Sequence, residues 1–237
     1  MDGWTVMRGR SVVLLLVVAL GCTRSAQVSS VSHELRTSEW VALIDAKNTL
    51  NGWRVYRGAG QPTGWQVKDG VLSKTQPTDD IVSVDQFGDF ELELDWRVAR
   101  GGNSGLFYRA TEEYDKVYWS APEYAILDDA NARDGRNRIT SAGAAHSLYE
   151  PPAGIVKPFG EWNSTRIVAR GPHVEHWLNG KKLFEFEQWS PDWDARVKAS
   201  KFAPYANFGK ARRGFLALQG DHNGELQIRG FRIRELR

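Results

Sequence analysis

Residues 118–129, YWSAPEYAILDD, gather groups well placed for acid–base chemistry. A carboxylate, Glu123, precedes the apolar run Tyr124, Ala125, Ile126 and Leu127. Asp128 and Asp129 close the stretch, and Tyr118, Trp119 and Pro122 crowd its start. It reads as a short strand, in which alternate side chains share a face. Glu123 then lies with Ala125 and Leu127, and Asp128 with Tyr124 and Ile126 on the other side. The small Ala125 leaves room for a ligand above Glu123. A carboxylate among aromatic rings holds its proton more tightly and can serve as acid or base. A solvated strand end whose acids close turns fits the same residues, so the choice depends on the rest of the chain.

A second polar concentration lies near the C-terminus, at residues 219–224 (QGDHNG). His222 beside Asp221 can be an oriented acid or base; a turn that satisfies its own backbone fits equally. Arg109 and Lys201 are fixed positive charges among apolar neighbours. Each suits a developing oxyanion, and each also suits a structural ion pair. The five histidines are His33, His146, His173, His176 and His222, and they form no HExxH or cysteine–histidine motif. In residues 173–176 (HVEH), alternation puts His173 and Glu175 on one face and His176 on the other, so both histidines cannot line one cleft. A divalent metal held by ligands from separate strands remains open, and no cofactor is required by any motif. Ten tryptophans is a high count, and Trp53, Trp65, Trp119, Trp162, Trp189 and Trp193 fall in or beside loops. Indole faces stack on sugar rings, though core packing accounts for most tryptophans in most folds.

These groups need a frame, and the sequence supplies one of short strands. Residues 90–98 (FELELDWRV) alternate strictly, the pattern of a half-buried antiparallel strand. Asp69–Gly70 and Asn179–Gly180 sit between alternating apolar residues as two-residue hairpin turns. Residues 101–105 (GGNSG) read as a turn before a strand at 106–109. Further strands are expected at 162–169, 174–178, 182–186, 214–219 and 225–235. Residues 34–47 form a short helix or a lead-in strand, with Trp40, Leu43 and Ile44 at helical spacing, and 190–201 has mild helical character. Long loops at 129–141 and 150–160 carry function more often than decoration. The whole is an all-β, antiparallel β-sandwich with short helices in loops.

The N-terminal stretch reads as an address. Arg8 and Arg10 precede the apolar run 11–20, too short to span a bilayer, and Cys22, the single cysteine, follows Gly21. This resembles a bacterial lipoprotein signal peptide over residues 1–21, with Cys22 as the lipidated residue, a tether over 22–37 and one domain over 38–237. The expectation is an exported, periplasmic or outer-membrane-anchored bacterial protein that meets the membrane through its lipid alone. Losing residues 1–21 removes Asp2, Arg8 and Arg10, one positive charge net from the +2 of the full chain. Near neutrality and without a basic block, the domain is not expected to take nucleic acid as a partner. With one cysteine it forms no internal disulfide and relies on its core.

Several motifs in order resemble the 3-keto-disaccharide hydrolase family, whose members have a concanavalin-like jelly-roll fold. The resemblance runs from about residue 40 to 236. It begins with residues 43–47 (LIDAK) and 51–53 (NGW), then 65–72, 102–106 (GNSGL) with Arg109, and Glu123 to Asp128. It continues through 142–144 (AGA), 157–158 (KP), 160–163 (GEWN), 174–180 (VEHWLNG), 200–202 (SKF) and 218–222 (LQGDH). The chain departs from the family at Ala125, where many relatives carry Gln, at Ala46, and at 145–149 (AHSLY).

The resemblance implies cleavage of glycosides already oxidised at C3 of the sugar. A C3 ketone acidifies the C2 proton, so a modest base can form an enediolate; the C1 substituent leaves, and water adds to the 2-hydroxy-3-keto-glycal. The route needs a base, an acid for the leaving oxygen and a positive group near the C3 oxygen, unlike the paired carboxylates of ordinary glycosidases. On this reading Glu123 and His222 divide the acid and base roles. Arg109, Lys201 or a bound divalent ion stabilises the oxyanion. Asp128, Asn103, Asn163, Trp162, His176, Gln219 and Asp221 hold the sugar. A non-catalytic, lectin-like carbohydrate-binding module is the alternative that the fold also permits, and a surface adhesion or assembly protein is a third.

Overall fold

The computed structural model describes residues 1–3, 38–44 and 49–236. The chain divides into two compact units, Met1–Glu34 and Leu35–Arg237, and the second is described below. The expected lipidated Cys22, the tether to residue 37 and nearly all of the leader lie outside the described residues, as do residues 45–48. Among the described residues no helix is long and apolar enough to cross a membrane.

Two antiparallel sheets make the domain. The larger runs β11 (Lys181–Glu187), β10 (His173–Leu178), β9 (Asn163–Arg170), β6 (Phe90–Val98), β13 (Leu226–Glu235), β4 (Val71–Lys74), β3 (Gln66–Lys68), with β1 (Val41–Ala42) also paired to β13. The smaller runs β2 (Trp53–Val55), β5 (Ile81–Phe87), β12 (Gly214–Leu218), β7 (Asn103–Ala110), β8 (Glu123–Leu127). This is the expected all-β jelly roll.

The alternation in β6 does what it dictates. Phe90, Leu92, Leu94, Trp96 and Val98 are buried in the core, each large apolar side chain contributing about 1.5–3 kcal/mol. On the other face Glu91 pairs with Arg166 and Arg234, Glu93 with Arg232 and Asp95 with Arg229. From the smaller sheet Leu106, Tyr108, Tyr124, Ile126, Leu216 and Leu218 enter the same core. Both predicted hairpins form, with left-handed φ values of 52° and 73° at Asp69 and Gly70, and 51° and 77° at Asn179 and Gly180, as the primed turns require.

Three local expectations change. Asn103, Ser104 and Gly105 belong to β7 rather than to a turn; the turn closes earlier, where Gly102 N donates to Ala99 O. The helical spacing of Trp40, Leu43 and Ile44 does not make a helix there: Val41–Ala42 is an extended pair on β13. Strand β5, to which the sequence reading assigns no element, has Ile81, Val82 and Ser83 buried in succession and so carries no alternation.

One helix, α1 (Pro191–Ala199), forms where helical character was expected. Ser190 caps it by accepting from Trp193 N at 3.2 Å, Pro191 opens it, and acidic residues precede basic ones along it. A column of near-parallel rings pins it: Tyr149–Phe186 at 4.5 Å, Phe186–Trp193 at 5.5 Å, Trp193–Phe208 at 6.1 Å and Phe208–Phe202 at 3.9 Å. Lys201 follows α1 directly and is carried by this column. Trp119 stacks on Tyr205 at 4.2 Å and meets Phe202 edge-on.

Candidate active site

Leu106 and Tyr108 point into the core, so alternation turns Asn103, Gly105 and Phe107 of β7 to the outer face of the smaller sheet. Register sets Phe107 opposite Glu123 and Gly105 opposite Ala125, which places the Glu123 carboxylate on that face. Gly105 makes the space: a Cβ there would lie 2.5 Å from Glu123 Oε1 and 2.8 Å from its Cγ and Cδ. Beyond β12, Gln219 N donates to Gly105 O at 3.0 Å and Ser104 Oγ donates to Gln219 O at 2.9 Å. The polar loop therefore leaves the sheet beside Gly105 and delivers Gln219, Asp221 and His222 above it. On the other side, residues 143–146 run along β8. Gly143 N donates to Ala125 O at 2.9 Å, and His146 N to Glu123 O at 3.0 Å.

These elements enclose a cavity of about 310 Å³, at the lower end of ligand pockets, roughly 300–1,000 Å³. Glu123, His222, Lys201, Gln219, Asp221 and Asn103, six of the predicted site residues, line it. Asp134, His146, Tyr118 and Trp119 complete the lining. Asp134 and His146 were not selected from sequence. Asp134 lies in the long 129–141 loop whose length marked it for function, and His146 lies in the stretch that departs from the family pattern.

The electrostatics suit proton transfer. Burial pushes the Glu123 carboxyl up to about 7; Lys201 and His222 pull it back, and Asp134 and Asp221 add to the rise. Burial takes the His146 imidazole down to about 4, with Lys201 pushing further and Asp134 opposing, so His146 is neutral at pH 7. Among the described residues, no hydrogen bond or ion pair engages the side chains of Glu123, His222, Lys201 or Gln219. Their neighbours are tied: Asn103 Nδ2 donates to Asp134 Oδ2 at 2.9 Å, and Lys116 pairs with Asp221 at 3.3 Å.

Five predicted site residues stand elsewhere. Arg109 lies six residues along β7 from Asn103, roughly 20 Å at strand rise, and its guanidinium donates to Gly88 O, Gln188 Oε1, Asp89 Oδ1 and Gly171 O. The oxyanion role expected of it has no geometry here. Asp128 faces inward and clamps its own turn, accepting from Gly101 N, Ala130 N and Asn131 Nδ2. Asn163 binds Lys157 N and Asn179 Nδ2. His176 is fully buried between Tyr108 OH and Gly143 O. Trp162 lies under Arg97 and Arg229, 4.7 and 4.1 Å from its ring. Each of the five spends its polarity or its ring on the scaffold. Of the loop tryptophans, Trp119 alone lines this cavity; Trp53, Trp65 and Trp193 are buried in the core.

Among the described residues, the group of histidine and carboxylate donors within 4.8 Å of one another is His173, Glu175 and Glu185, on the β10–β11 hairpin. The Lys182 ammonium already sits between its two glutamates.

The frame is that of lectin-like β-sandwiches: a Bacillus subtilis protein with a galectin-like fold superposes with a TM-score of 0.52 at 12% identity, over 84% of this chain and 96% of its own. Sequence goes further. The profile of the 3-keto-alpha-glucoside-1,2-lyase-like domain matches residues 39–234. A 3-keto-disaccharide hydrolase of Bacteroides thetaiotaomicron is 31% identical over 245 residues, covering 90% of this chain and 84% of the relative. A Parabacteroides distasonis protein assigned as a glycosyl hydrolase superposes with a TM-score of 0.78 at 32% identity, over 84% of this chain and 94% of its own. The chain belongs to the 3-keto-disaccharide hydrolase family.

Proposed function

We propose that this protein cleaves the glycosidic bond of 3-keto-disaccharides by elimination followed by hydration. The reading is carried by one observation: a carboxyl group poised near 7, an imidazole and an ammonium line one cavity, and among the described residues no hydrogen bond or ion pair engages them. Glu123 and His222 divide the proton transfers. One takes the C2 proton, and its electrons form the enediolate of the C3 ketone. The other protonates the C1 oxygen as that bond breaks, releasing the aglycone as an alcohol and leaving the 2-hydroxy-3-keto-glycal. Water then adds across the glycal double bond, its hydroxyl to C1 and a proton to C2, to give the free 3-keto sugar. A group half ionised near neutral pH suits either direction of transfer. Lys201 supplies positive charge for the enediolate oxygen, and Gln219, Asn103 and Asp221 hold hydroxyls, with Asp134 added to them. Tyr118 and Trp119 offer ring faces to the sugar.

The test is to incubate the domain with a 3-keto-disaccharide and, separately, with its unoxidised parent, and to follow both by NMR. Release of 3-keto sugar from the first alone is expected. Binding of both without turnover identifies a lectin and ends the proposal. We further propose export and lipid anchoring at Cys22; acyl labelling that survives Cys22→Ser contradicts it.

A further inference from the structure

Lys74 occupies a position that strand alternation assigns to the core. Leu72, two residues earlier on the same face of β4, is 0% exposed and Lys74 itself is 1% exposed. Burying a lysine this deeply is costly unless its nitrogen finds acceptors. Register shows where it finds them. Lys74 pairs with Leu226 at the start of β13, next to the loop 219–225 that carries the chain from the smaller sheet to the larger. Its Nζ donates to His222 O at 2.7 Å and to Gly224 O at 3.1 Å. Among the described residues no ion pair engages it, and both of its hydrogen bonds go to this one loop.

The loop is gripped upstream as well. Asp80 Oδ1 accepts from Gly220 N at 2.8 Å, and Thr78 N donates to Gly220 O at 3.0 Å. Gly220 lies so close to residues 78–79 that a Cβ would come 2.3 Å from Asp79 O. The backbone is thus held at residues 220, 222 and 224, while the His222 imidazole has no protein partner among the described residues.

The geometry points to Lys74 as a positioning residue: its buried Nζ fixes the His222 backbone and so keeps the imidazole in the cavity with Glu123. This rests on the catalytic reading of His222, but the placement itself is measurable without turnover. Lys74→Met removes the donors at similar length, and Lys74→Arg retains donors. The His222 imidazole signal in carbon–proton spectra is assigned by its loss in His222→Ala. Lys74→Met is expected to shift or broaden that signal while His173 stays in place, and Lys74→Arg to restore it in part.

On the 3-keto-disaccharide, Lys74→Met should lower kcat about 30-fold with KM within about threefold, and Lys74→Arg should recover to within about fivefold. In a His222→Ala background, Lys74→Met should cost nothing further, as a residue acting through His222 requires. An unmoved His222 signal, or an equal loss of activity in both backgrounds, overturns the proposal and leaves Lys74 a purely structural residue. Full activity of His222→Ala alongside a shifted signal in Lys74→Met overturns instead the catalytic role of His222 and upholds the clamp.

Discussion

Arg109 and Glu123 sit on neighbouring strands of the smaller sheet, are 1% and 7% exposed, and both carry ionisable groups. They nevertheless belong to different parts of the protein's economy of hydrogen bonds. The Arg109 guanidinium makes four hydrogen bonds, to the backbone carbonyls of Gly88 and Gly171 and to the side chains of Gln188 and Asp89, and lies 4.9 Å from the Trp189 ring. The Glu123 carboxylate accepts none among the described residues and opens onto a cavity. Burial and charge alone do not distinguish a catalyst from a scaffold; the number of committed partners does. A buried guanidinium with four of its five N–H donors committed to the scaffold cannot turn to a substrate oxygen without breaking the fold around it.

The comparison breaks most visibly on turnover. Glu123→Gln keeps shape and removes the proton-transfer group, so kcat should fall by about 10³-fold, and His222→Ala by about 10²-fold, within the range for general acid–base groups; circular dichroism should show both folded. Gly105→Ala should cost about tenfold in kcat, because the new methyl displaces the carboxylate that rests against it; steady-state kinetics at saturating substrate measure this. Arg109→Met should leave the turnover of folded enzyme within about threefold of wild type. Abolished turnover in folded Arg109→Met protein would show that Arg109 takes part in catalysis and is not only a scaffold residue.

Stability reverses the order. Arg109→Met leaves buried carbonyls and Gln188 without their donor and should lower the unfolding free energy by roughly 2–3 kcal/mol, read from urea midpoints. Glu123 acts through pH. Its folded-state pKa of about 7 is raised above the ordinary 4.5, so the folded protein holds this proton more tightly than the unfolded chain. The stability that Glu123 contributes is fully present below about pH 4.5 and is lost as pH rises through about 7, amounting to about 3 kcal/mol. Glu123→Gln should therefore gain stability relative to wild type between pH 5 and pH 9; a constant difference across that range contradicts the raised pKa.

Much of the frame was legible because strand physics is local. The alternation of β6 and the two Asx–Gly turns specify faces and hairpins without reference to the rest of the chain. Strand β5 was not legible, since its buried Ile81, Val82 and Ser83 are covered on both faces by partners distant in sequence. The site divides in the same way. Glu123 announced itself by its aromatic setting, and residues 219–222 by their density of polar groups. Arg109, Asp128, Asn163 and His176 have the same residue types, and only the tertiary structure shows that their hydrogen bonds are already spent. His146 reaches the cavity because residues 143–146 pair along β8, a contact with no periodic signature. Lys74 carried a readable signal, a lysine in phase with Leu72 on the inward face, but its partner is about 150 residues away in sequence.

Elimination requires that the C2–H bond break during catalysis. Turnover of a 3-keto-disaccharide in heavy water, stopped in the first few per cent of reaction and compared with added 3-keto sugar under the same conditions, measures it directly. Elimination and hydration predict one deuterium at C2 of the released sugar, above the control exchange. Released sugar that retains its C2 protium would show that the bond is cleaved by direct hydrolysis and that the proton-transfer roles given to Glu123 and His222 are wrong.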